Sequence, residues 1–130
     1  MARKVLIIED YDLIQETFAH SLGPKLDAMG IELLQALNAE EARDYFYAAI
    51  SDFIVISFDG RLPKKQGGEV GFFGAILARE FSKHVRRETV LIAASSNSDS
   101  NADLMLAGCS QVCPSKDKLL EIILNIVGLC

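Results

Sequence analysis

The sequence predicts an α/β fold, a parallel sheet of five strands with helices on both faces. Two observations carry this. Short unbroken aliphatic runs alternate with segments of helical period five times along the chain. These runs also end abruptly in polar or charged residues rather than fading into turns. Right-handed crossovers between successive strands then leave few topologies.

Val5, Leu6, Ile7 and Ile8 form the first run, apolar on successive positions as a strand buried on both faces must be, and Glu9 and Asp10 end it. Asp12 is placed to cap a helix with Leu13, Ile14, Phe18 and Leu22 inward, which Gly23 and Pro24 should stop. An ambiguous stretch leads to a second strand over 31–36. Asn38 followed by Glu41 has capping-box spacing and opens a helix running to about Ala49. A third strand covers 53–57, and after Phe58 comes a loop rich in breakers, Asp59 to Gly67. Phe73, Leu77 and Phe81 mark a helix over 70–84. The fourth strand, 90–94, ends in the polar cluster 95–101. A short helix over 104–107 closing at Gly108, a minimal fifth strand at Val112 and Cys113, and a helix over 116–127 complete the pattern, the last with Leu119, Leu120, Ile123, Ile126 and Val127 inward.

At 130 residues, half of them apolar, the chain fits one domain with a core of its own and leaves no room for a second, output domain. Thirteen Lys and Arg against eighteen Asp and Glu give a net charge of -5, the wrong sign for holding nucleic-acid backbones. The first apolar run meets Glu9 after four residues, so the N-terminus has neither a signal core nor a membrane span. Cys109, Cys113 and Cys130 are odd in number and lack zinc-ligand spacing, which fits a reducing cytoplasm.

In an open parallel sheet every strand delivers its following loop to one edge, where ligands bind. Glu9, Asp10, Asp59, Ser95 and Lys116 all follow strands and so collect there. Three carboxylates in one crevice repel strongly, and their hard oxygens, with a backbone carbonyl and water, suit Mg2+. Lys116 adds a fixed positive charge and Ser95 a hydroxyl donor.

The residues resemble the response-regulator receiver domain of two-component phosphorelays over essentially the whole chain. The resemblance rests on Glu9-Asp10 ending strand one, on Asp59-Gly-Arg-Leu-Pro63 with Gly67 eight positions after the Asp, on Ser95 closing strand four, and on Gly108 followed by Lys116. It implies a flavodoxin-like, doubly wound sheet of order 2-1-3-4-5. It also implies that Asp59 accepts a phosphoryl group from a histidine kinase or histidine phosphotransfer protein, and that Asp10, Asp59 and the Arg61 backbone carbonyl bind Mg2+, with Glu9 acting through coordinated water. Ser95 and Lys116 would hold the phosphoryl oxygens. A separate effector protein would read the state, with homodimerisation left open. The parts required for in-line phosphoryl transfer, namely a nucleophile, a metal and cationic donors, are thus all nameable.

Simpler readings stand beside these. Glu9 and Asp10 could merely cap the next helix, Asp59-Gly60 is an ordinary turn dipeptide, and Ser95 could serve only to cap its helix. Lys116 lies one residue later after Gly108 than the family pattern has it, Ser115 takes the counted position, and Asp117 stands where the family has Pro. A bulge or shifted proline turn is therefore expected if Lys116 is to reach the crevice. Val112 and Cys113 replace the family's strand-five aromatic, and the polar cluster 95–101 predicts a short, mobile fourth helix, so readout should differ. These departures sustain an alternative, a pseudo-receiver that binds partners without phosphorylation. The Gly67, Gly68, Gly71, Gly74 series does not follow the first strand as a dinucleotide loop would. An aspartyl phosphatase would need a second Asp at position 61, which is Arg.

Overall fold

The computed structural model describes residues 2–128, so Cys130 lies outside the described residues. The strands are β1 (Arg3–Ile8), β2 (Ile31–Ala36), β3 (Phe53–Phe58), β4 (Leu62–Pro63), β5 (Val70–Gly71), β6 (Val90–Ala93) and β7 (Gln111–Val112). The helices are α1 (Asp12–Ser21), α2 (Gly23–Ala28), α3 (Ala39–Ala48), α4 (Phe73–Ser82), α5 (Ser98–Ala107) and α6 (Leu119–Gly128). The main sheet is parallel throughout in the order β2-β1-β3-β6-β7, which is 2-1-3-4-5 of the predicted strands. β4 and β5 form a separate two-stranded antiparallel ribbon.

The unbroken aliphatic runs have the cause the sequence implied. Leu6, Ile8, Ile56, Phe58, Leu91 and Ala93 face one core, into which α3, α4 and α5 send Phe46, Leu77, Phe81 and Leu104. Val5, Ile7, Val55, Ile92 and Ala94 face the other, filled by Phe18, Leu22 and Leu26 from the α1–α2 side and Leu119, Ile123 and Val127 from α6. Alternate residues of one strand thus enter different cores, so both parities are mainly apolar, although Ser57 of β3 is a buried polar residue. Phe46 stacks on Phe81 with ring centroids 3.9 Å apart, locking α3 to α4.

Several elements differ from expectation. Gly23 and Pro24 start α2 rather than ending the chain's helical course: Pro needs no amide partner in a first turn, and Leu26 is buried behind it. Asp12 is the first residue of α1 and not its cap, and Leu13 is 60% exposed. Val70 and Gly71 belong to the ribbon, so α4 begins only at Phe73. α5 spans ten residues rather than four, because Asn97 accepts from the amides of Asp99 and Ser100 and so starts the helix inside the polar cluster. The expectation of a short fourth helix therefore falls. The last helix is preceded by a 3-10 turn over Lys116–Lys118. Of its predicted inward residues, Leu120 and Ile126 are only partly buried. Asn38 does cap α3, accepting from Glu41 N at 2.8 Å, while the Glu41 carboxylate reaches back to the amide of Leu37.

Candidate functional site

Each central ladder runs one residue past its strand. The amide of Glu9 donates to Ala36 O, that of Asp59 to Ile8 O, that of Ala94 to Phe58 O and that of Cys113 to Ala93 O, at 2.7–3.0 Å. These bonds fix the departure points of four loops along one edge. A cleft of about 620 Å³ lies there, lined among others by Glu9, Asp10, Asp59, Arg61, Ser95 and Lys116. The topology thus brings all six sequence-predicted residues to one cavity.

Carboxylate oxygens of Glu9, Asp10 and Asp59 lie within 4.8 Å of one another. Two unit charges at that separation repel by about 3 kcal/mol at an effective dielectric near 20. Glu9 is buried and its Oε2 accepts from the amide of Tyr11 at 3.1 Å. Burial, and then the charge of Asp10, push the Asp59 carboxyl up from its ordinary 3.8 to about 6, against the amides of Arg61 and Gly60, which donate to it. Lys116 spans the cleft: its ammonium pairs with Glu9 Oε1 and stands 3.4 Å from Asp59 Oδ2. Burial lowers that ammonium from 10.5 to about 8.

The turn that brings Lys116 in is local. The amide of Cys113 pairs with Ala93 O, the Cys113 thiol donates to Ser115 O at 3.0 Å, and Lys118 N donates to the same oxygen, closing the 3-10 turn. Ser115 Oγ pairs with Asp117. The extra residue before Lys116 is absorbed here, so its side chain points back over the sheet edge.

Ser95 is buried at the cleft wall, and its Oγ accepts from the amide of Asn97 at 3.1 Å. Two residues missed from sequence hold the surroundings in place. Asn101 brackets Ser95, accepting from its amide and donating to its carbonyl, both at 2.8 Å. Gln15, buried in α1, donates to the carbonyls of Ile7, Glu9 and Ala36 at 3.0–3.1 Å. A signal for Gln15 existed: three residues before Phe18 and seven before Leu22, it shares their inward helical face. Its backbone partners could not be read from spacing. Arg61 is exposed, its guanidinium 5.4 Å from the centre of the Phe72 ring.

Gly74 explains part of the glycine series. A Cβ there would sit 1.9 Å from the carbonyl oxygen of Asp59, so α4 packs directly on the loop carrying that acid. Cys109 and Cys113 are buried and free, and burial pushes the Cys109 thiol up to about 12, as inert spacers require.

No protein-family model matches the sequence, and no curated protein matches it. Solved structures do. The receiver domain of AraT from Geobacillus stearothermophilus superposes with a TM-score of 0.72 at 16% identity, over 99% of this chain and 95% of that one. The fold is that of a response-regulator receiver domain. The response regulator TrrA of Thermotoga maritima, solved in complex with Mg2+ and BeF, matches with a TM-score of 0.64 at 22% identity, over 95% of this chain and 98% of that one. A Saccharomyces cerevisiae receiver domain, co-crystallised with the histidine phosphotransfer protein upstream of it, gives 0.63 at 24% identity, over 96% and 86%. The receiver fold accounts for the sheet order and the position of the cleft.

Proposed function

We propose that this receiver fold works as a phosphoacceptor: Asp59 takes a phosphoryl group from the phosphohistidine of a kinase or phosphotransfer protein, and a separate effector protein reads the result. The observation that carries the reading is the convergence of Glu9, Asp10 and Asp59 within 4.8 Å, with the Lys116 ammonium beside them. A structural role alone gives no reason to gather three acids at one rim. The relative crystallised with a phosphotransfer protein supports the partner class.

The donor set fits Mg2+, being oxygen only and partly solvated, and the relative solved with Mg2+ and BeF supports that choice. Asp10, Asp59 and the Arg61 backbone carbonyl would hold the ion, with Glu9 acting through water. When bound, it neutralises charge on the transferred group's oxygens and favours the ionised form of Asp59. One Asp59 carboxylate oxygen attacks phosphorus in line, a P–O bond forms as the P–N bond to imidazole breaks, and the imidazole nitrogen keeps the electron pair and takes a proton. The Lys116 ammonium shifts from Glu9 toward the new phosphoryl oxygens, and the Ser95 hydroxyl donates to another of them.

Incubation with acetyl phosphate and Mg2+, followed by intact mass, is expected to show one hydroxylamine-labile phosphoryl adduct that Asp59→Asn abolishes. A wild-type protein that stays unmodified would favour the pseudo-receiver alternative.

A further inference from the structure

We infer that Gln15 is the positioning residue that aims Asp10 at the metal site, an inference that rests on the phosphoacceptor reading above. Glu9 is held from every side except through its own carbonyl: its amide is bonded to Ala36 O, and its carboxylate to Tyr11 N and Lys116. That carbonyl belongs to the peptide joining Glu9 to Asp10, and the Gln15 amide nitrogen is the group that grips it, at 3.0 Å. Rotation of this peptide plane would swing the start of Asp10 relative to Asp59.

The same nitrogen also reaches Ile7 O and Ala36 O, carbonyls at the points where β1 and β2 give way to their loops. One side chain therefore ties both strand ends to α1. Its own orientation is fixed, because Gln35 donates from Nε2 to Gln15 Oε1 at 2.7 Å and to Gln15 O at 2.6 Å. With Oε1 committed as an acceptor, the nitrogen must be the end that faces the Glu9 carbonyl. A purely structural filler at this inward helical position would be apolar, as Phe18 and Leu22 are on the same face. An amide that spends its donors on the backbone beside an acidic cluster matches the supporting role of groups that orient metal ligands from behind.

The test compares Gln15→Met, similar in length but without the donor, with Leu22→Ala, which disturbs buried packing at the C-terminal end of the same helix. Mg2+ affinity of the whole chain is measured by calorimetry, and the Asp10 backbone amide is followed by NMR without metal. Gln15→Met is expected to weaken Mg2+ binding about tenfold, the lower end of the effects such supporting groups have, and to move the Asp10 amide resonance. Leu22→Ala, at comparable loss of melting temperature, should bind Mg2+ like the wild type. Equal affinity in Gln15→Met and wild type, or equal weakening in Leu22→Ala, overturns the inference and leaves the phosphoacceptor reading standing. A wild-type protein that binds no Mg2+ overturns both.

Discussion

Asp59 is held in a state that suits chemistry and harms stability. Its carboxyl titrates near 6 in the folded chain against an ordinary 3.8, through burial and the charge of Asp10. The folded state therefore binds the proton more tightly than the unfolded one. Without metal, the contribution of this group to stability should be highest below about pH 4, fall as pH rises through 4–6, and stay reduced above 6. Asp59→Asn should consequently raise metal-free stability at pH 8 by about 2 kcal/mol, since a tenfold change in proton affinity corresponds to about 1.4 kcal/mol and the site keeps some water. Denaturant melts at pH 8 and pH 4 check this: the gain should shrink at the lower pH. Gly74 makes the opposite case. Ala normally favours a helix over Gly by up to about 1 kcal/mol, yet a methyl here would strike the Asp59 carbonyl. Gly74→Ala should cost about 1–3 kcal/mol by overpacking and should suppress adduct formation at Asp59. A variant that is more stable and still phosphorylated would contradict the packing described.

At the scale of elements, the continuous aliphatic strands were legible because burial on both faces leaves a pattern no amphipathic helix shares, and the strand bounds of β2 agree to the residue. α5 was not legible. Its first turns are Ser98, Asp99, Ser100 and Asn101, residues that favour turns because their side chains compete for backbone groups. Here the competition is settled by tertiary partners: Asn97 caps, Asn101 is bound to Ser95, and Ser100 lies buried against Gly60. The β4–β5 ribbon was equally hidden, since two-residue strands carry no periodicity. Among site residues, those at strand ends were readable from topology alone, whereas Gln15 and Asn101 act through backbone groups that spacing does not reveal. Because α5 is a full helix anchored at its start by this network, amides of residues 102–107 should exchange as slowly as those of α4. Rapid exchange there would mean that the capping network does not hold in solution.

For the whole molecule, two apolar layers sandwich the sheet and offset the repulsion gathered at its carboxyl edge. A ligand that binds only the folded state stabilises it by about 2.7 kcal/mol at a hundredfold excess over its dissociation constant. Mg2+ should therefore raise the melting temperature progressively, and Asp10→Asn should blunt that rise. The function proposed for this rim turns on whether a divalent cation relieves the crowding of its acids. The most direct measurement is a side-chain NMR titration of the Asp59 carboxyl with and without Mg2+. The expected result is a midpoint near 6 in metal-free protein that falls below the ordinary carboxylate value when Mg2+ is added. A midpoint at the ordinary value that magnesium leaves unmoved would contradict it.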